Sequence, residues 1–96
     1  MQRESFELLE KINIQNNVKH NPDSMFLSLT EEVGEVAREL SKKQENYRKD
    51  FNPEVLAEEL ADVINRTLII AEDNDIDLDL AFQNKLIKIK QRFNIK

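Results

Sequence analysis

Cysteine is absent from this chain. Its absence excludes a disulfide framework and any thiolate metal site, and it fits a reducing compartment. Glycine occurs once, proline twice and tryptophan not at all. Turn-rich sheet proteins draw heavily on the first two, whereas Leu, Ile, Glu and Lys are plentiful here, which favours an all-α fold. No apolar run approaches the ~20 residues needed to span a bilayer. The first residues, Met1 to Glu7, show no apolar signal-peptide core. The expectation is a soluble, cytoplasmic protein without a membrane partner. Basic residues are the minority, 14 against 19 acidic, for a net charge of −5. Nonspecific nucleic-acid binding relies on a basic footprint, so nucleic acid is not an expected partner. A small phosphorylated substrate stays open, because a bound cation can reverse the local field. The 96 residues read as one domain, 1–96. So small a core makes self-association an expectation.

What the chain does have is helical periodicity. Residues 2–15 carry a rough apolar stripe of Phe6, Leu8, Leu9 and Ile12. A polar break follows, through Asn16, Asn17 and His20. Asn21-Pro22-Asp23 then opens a second helix: Asn suits an N-cap, Pro the first helical position, and Asp the positive end of the dipole. Its pattern continues to about Tyr47. Asn52-Pro53-Glu54 repeats the device and opens a third helix reaching Asp73 or Asn74. The link between them, Arg48 to Phe51, is short and favours antiparallel neighbours. Asp77 is the expected cap of a last helix ending near Arg92. The fold class expected is therefore all-α, a four-helix antiparallel bundle.

Two acidic clusters stand inside these helices: Glu31-Glu32-Val33-Gly34-Glu35 and Glu58-Glu59-Leu60-Ala61-Asp62. At ~100° per residue, Phe26, Leu29, Val33, Val36, Ala37 and Leu40 share one arc of the second helix. Glu32, Glu35 and Glu39 lie beside it, and Glu31 turns away. On the third helix Leu56, Leu60, Val63, Ile64, Leu68 and Ile70 make a broad arc, with Glu59 at its edge, Asp62 just beyond and Glu58 further out. Each helix thus offers an inner pair at i, i+3, with Cβ atoms ~5–6 Å apart: Glu32 with Glu35, and Glu59 with Asp62. These are hard oxygen donors of the kind Mg²⁺ or Mn²⁺ takes. Four carboxylates converging at one seam would repel without a cation. A single Glu-x-x-Glu says little, since glutamate is a common helix-surface residue; two such clusters on adjacent helices say more. Gly34, the only glycine, sits in a helix interior at a cost of ~1 kcal/mol relative to Ala. That points to close approach by a ligand or another backbone, or to tight helix packing.

At these clusters the sequence resembles the MazG-like family of all-α nucleoside triphosphate pyrophosphohydrolases, whose pattern is Glu-Glu-x-x-Glu, a spacer, then Glu-Glu-x-x-Asp. The resemblance runs from about residue 18 to 93, through His20-Asn21-Pro22 upstream and Lys85 and Gln91-Arg92-Phe93 downstream. It implies Mg²⁺-dependent cleavage of a nucleotide between its α and β phosphates, to a nucleoside monophosphate and pyrophosphate, in nucleotide-pool sanitation. It also implies assembly as a homodimer or homotetramer. By position it makes Glu32, Glu35, Glu59 and Asp62 the metal ligands, while Glu31 and Glu58 orient ligands or help to activate water. Ile89 stands where many relatives have Asn, and the tryptophan some use near the base is missing.

Lys85, Lys88 and Arg92 share one side of the last helix and are candidates for the nucleotide phosphates. The alternative is a solvated basic face near a helix C-terminus. His20 is a candidate contact to base or ribose, against the plainer reading of an exposed loop histidine. Arg66, four residues after Asp62, is placed to pair with that carboxylate. Two other functions compete: a phosphoribosyl-ATP pyrophosphatase-like enzyme, and a noncatalytic helical interaction or regulatory module whose acids only solubilise it.

Overall fold

The computed structural model describes residues 1–44 and 50–96. These form four α-helices and, among the described residues, no strand: α1 (Gln2–Gln15), α2 (Met25–Ser41), α3 (Pro53–Asp73) and α4 (Leu78–Arg92). The caps follow the expected chemistry. Asn52 accepts hydrogen bonds from the N–H groups of Glu54 and Val55 with Pro53 at the first helical position, and Asp77 accepts from Leu80 N–H. Asn21 instead caps a short 3-10 turn, Pro22–Ser24, and the α-helix begins only at Met25. α2 also ends at Ser41 and not near Tyr47. Tyr47 itself, and the Arg48–Lys49 part of the expected link, lie outside the described residues.

With one glycine in the chain, the helices end without it. Asn17, Asp75 and Asn94 adopt positive φ, near +54°. The next residue's N–H reaches back to the helix in each case: Val18 to Asn13 O, Ile76 to Ala71 O and Ile95 to Lys90 O. Asn and Asp tolerate this left-handed conformation best after glycine, and the reach-back is the Schellman closure. The polar breaks seen in the sequence are therefore helix stops.

α3 is the central element, packing against α2 on one side and α1 on another. The buried apolar residues are Met25 of α2 and Leu68, Ile69 and Ala71 of α3. The start of α1 is tied to the α3–α4 turn. Gln2 donates to Glu72 and to Ile76 O and accepts from Leu78 N–H, and Arg3 Nη1 bonds Glu72 Oε1 at 2.9 Å. The four-helix bundle is not completed within one chain. Among the described residues α4 makes no extensive contact with another helix, only its first turn facing α1 and α3, and every residue from Asp79 to Arg92 is exposed. The accessible surface is 7991 Å², against roughly 5,700 Å² for a compact monomer of this mass. The radius of gyration, 16.7 Å, likewise exceeds the ~12.5 Å of a compact domain this long.

The α2 apolar arc is split. Phe26, Val33 and Leu40 are exposed at 62, 50 and 42 %, while Glu39 is buried. α2 meets α3 through its acidic side, so Glu32 and Glu59 are half-buried in the seam while Asp62 is exposed at its border. Gly34 is exposed, and a Cβ there would meet nothing within 4 Å. Tight packing within the chain is therefore not its reason.

Candidate functional site

The α2–α3 seam gathers the inner carboxylates. One oxygen each from Glu32, Glu59 and Asp62 lies within 4.8 Å of the others. Glu35 joins through Glu59, whose carboxyl it neighbours closely enough to raise its pKa. The neighbouring Glu35 carboxyl is the largest cause of that rise, with burial the next contributor. Burial, then the negative charge of Asp62, also pushes the Glu32 carboxyl up, and Arg66 works against this. Glu59 Oε2 is buried and has no hydrogen-bond partner, a costly state for a carboxylate oxygen.

These features fit a hard divalent cation. The donor set is all carboxylate oxygen, which suits Mg²⁺ or Mn²⁺. Two oxygens each ~2.1 Å from a Mg²⁺ lie at most ~4.2 Å apart, so the cluster needs only a small side-chain adjustment. The orphaned Glu59 oxygen would gain a partner, and the crowding that raises two pKa values would be relieved.

The remaining sequence candidates are placed differently. Glu31 and Glu58 are exposed, each one residue from an inner carboxylate. Arg66 does not take Asp62 as its partner. Its Nε donates to Ser28 Oγ at 2.7 Å, and its Nη2 lies 3.9 Å from Glu32 Oε1. His20 is not brought to the cluster. Its Nε2 lies 2.9 Å from both carboxylate oxygens of Asp73, and its ring meets the Phe6 ring edge-on at 5.8 Å. Asp73 ends α3, roughly 16 Å along the helix axis from Asp62 at ~1.5 Å per residue. Lys85, Lys88 and Arg92 form no ion pair among the described residues and stay in solvent on α4. Nor does the apolar cavity of about 700 Å³ between α1, α3 and α4, lined by Ile64, Leu68 and Phe82, hold any candidate site residue.

Residues 20–94 match the MazG nucleotide pyrophosphohydrolase domain. The chain belongs to the MazG family. A search of curated proteins finds no significant match. The MazG match takes in both acid-bearing helices and α4 and leaves out α1. α1 is the helix that pins the α3–α4 turn.

The roles of two residues of this MazG domain were not foreseen from the sequence. Ser28 anchors Arg66; its i, i−4 relation to Glu32 was the available signal. Glu39 lies on the acidic face with Glu32 and Glu35, yet it serves the fold. It accepts from Asn52 N–H at 2.9 Å and from Lys42 Nζ at 3.1 Å. Those bonds, the backbone one first, hold its carboxyl below the ordinary range.

Proposed function

We propose that this MazG protein is a Mg²⁺-dependent pyrophosphohydrolase of nucleoside or deoxynucleoside triphosphates, with Mn²⁺ able to serve. It would act in cytoplasmic nucleotide-pool sanitation. The observation that carries the reading is the convergence of Glu32, Glu59 and Asp62, with Glu35 beside a half-buried Glu59 whose Oε2 is buried and unpartnered. Glu32, Glu35, Glu59 and Asp62 would hold the cation. Bound there, it supplies Lewis acidity toward phosphate oxygens and acidifies water. Glu31 or Glu58, each exposed beside an inner carboxylate, accepts the proton of the attacking water as general base. The water oxygen bonds to the α-phosphorus, the bond from that phosphorus to the bridging oxygen breaks, and pyrophosphate leaves with the electron pair.

The working unit is a homodimer or larger. Support comes from some 2,000 Å² of surface beyond a compact monomer, which is interface-sized. The exposed Phe26, Val33 and Leu40 of α2, Leu60 and Ile64 of α3, Phe82 of α4 and Phe93 just beyond it add to it. In that unit Lys85, Lys88 and Arg92 are the phosphate-binding candidates.

Pyrophosphate release over a panel of nucleotides, with and without Mg²⁺, tests the reading. Asp62→Asn is expected to abolish Mg²⁺-dependent release while leaving helicity intact. Hydrolysis of no nucleotide would favour a noncatalytic interaction module, and a fully active Asp62→Asn protein would remove the site assignment.

A further inference from the structure

Arg66 is the part-buried cation at the carboxylate cluster. Its side chain is 27 % exposed, against 73 % for Arg38, which pairs with Glu35 along α2 at 3.8 Å. Arg66 reaches from α3 to α2 and makes two unequal contacts. The short one, Nε to Ser28 Oγ at 2.7 Å, carries no net charge on its acceptor. The long one, Nη2 to Glu32 Oε1 at 3.9 Å, is the ionic one. A guanidinium has five N–H donors in a rigid fork, and most of this fork has no acceptor among the described residues.

A permanent structural pair would have the reverse geometry, with short, two-pronged contact to the carboxylate. Here the neutral hydroxyl fixes the guanidinium and the carboxylate contact is loose. Breaking the loose contact would leave Arg66 anchored beside the cluster. Glu32 also belongs to the set whose oxygens fall within 4.8 Å of one another, so its carboxylate faces two claims: one positive charge from Arg66, two from a divalent ion.

We propose that Arg66 is a placeholder cation. It holds Glu32 in the ion-free site, yields the carboxylate when a divalent cation binds, and then offers its free N–H groups to the phosphates of the nucleotide. The inference rests on the metal reading above. Arg66 is a positioning residue for Glu32 in the first state and a substrate contact in the second. Ser28 keeps it in place between them.

The test compares Mn²⁺ affinity, read by EPR of free Mn²⁺, in the wild type, Arg66→Gln and Arg66→Lys. Removing the competitor should tighten Mn²⁺ binding by about three- to fivefold. Arg66→Lys keeps the charge and should bind Mn²⁺ as the wild type does. Binding of an α,β-methylene nucleotide in saturating Mn²⁺ should move the opposite way and weaken in Arg66→Gln. A merely structural role would loosen both ligands together. Should Arg66→Gln fail to fold, the wild type suffices: Mg²⁺ titration must shift the Arg66 Nε–H NMR signal, assigned by its absence in Arg66→Lys. Unchanged or weaker Mn²⁺ binding in Arg66→Gln, or an Arg66 signal indifferent to Mg²⁺, overturns the placeholder and leaves the metal site standing. No Mn²⁺ binding by the wild type overturns the metal reading and this inference with it.

Discussion

Glu39 accepts a hydrogen bond from the backbone N–H of Asn52, 2.9 Å away across the α2–α3 connection. Asn52 is itself the residue that caps α3. One buried carboxylate at the end of α2 thus fixes where α3 begins, and so helps to set the face that α3 turns toward Glu32 and Glu35.

Replacing Glu39 should therefore loosen the fold without touching the chemistry directly. Glu39→Ala is expected to lower the thermal midpoint more than Glu39→Gln, which keeps an acceptor for Asn52. The folded pKa of Glu39 lies below its ordinary 4.5. Its stabilisation is complete above pH 4.5 and is lost as pH falls through the depressed folded value. Wild-type stability should drop in that acid window, and the part due to Glu39 should vanish in Glu39→Gln. Thermal melts followed by circular dichroism from pH 3 to 7 read both effects.

Glu59 and Glu32 behave in the opposite sense. Their folded pKa values are raised, chiefly by the neighbouring Glu35 carboxyl for Glu59 and by burial for Glu32. Their stabilising contribution is present below 4.5 and is lost as pH rises through the folded values. Metal-free protein should thus lose stability on going from mildly acidic pH toward neutrality. Mg²⁺ added at pH 7 should restore it, by about 2.7 kcal/mol at a hundredfold excess over Kd. Glu59→Gln should flatten the pH dependence and abolish the Mg²⁺ response. Calorimetric scans with and without Mg²⁺ decide it.

How far these roles could be read from the sequence differs from residue to residue. The helix starts at Pro53 and Leu78 were legible because Asn52 and Asp77 cap through local, chemically specific bonds. The inner carboxylates were legible because i, i+3 spacing fixes a shared helix face. Their depth was not, since which half of the α2 stripe meets α3 depends on tertiary packing. The apolar arc of Phe26, Val33 and Leu40 stayed outside while Glu39 went in. Nor could sequence order distinguish Glu39 from Glu35, because the bond to Asn52 exists only after the chain turns back. His20 read as a candidate substrate contact beside the plainer reading of an exposed loop histidine, because no partner for it was visible. Asp73, far along the chain, supplies one. The independence of α4 was hidden for a related reason: its apolar stripe of Phe82, Leu86, Ile89 and Phe93 asks for a neighbour without naming which chain provides it.

Gly34 tests that same question from the other helix. Within one chain a methyl group there meets nothing within 4 Å. Gly34→Ala should then gain up to ~1 kcal/mol from helix propensity alone, seen as a higher urea midpoint. A loss of stability or of assembly instead would mean that a second copy or a ligand approaches this face of α2.

The exposed cations of α4 give the most direct test of how the site is shared. Lys85 and Arg92 have no anionic partner among the described residues, and α4 has no extensive contact with either acid-bearing helix among them. If they bind the substrate's phosphates, the carboxylates they serve belong either to another copy or to their own chain. A protein with Asp62→Asn and a second with Lys85→Ala and Arg92→Ala should then each be nearly inactive alone. Unfolded together and refolded at equal concentration, they should regain activity. In a two-fold dimer half the molecules are mixed and each has one intact site, so about a quarter of wild-type turnover returns. Recovery to that level places the cations in trans. No recovery, with mixed dimers confirmed by mass spectrometry, would confine each site to one chain, and full activity of the Lys85→Ala, Arg92→Ala protein alone would return both cations to a solvated helix face.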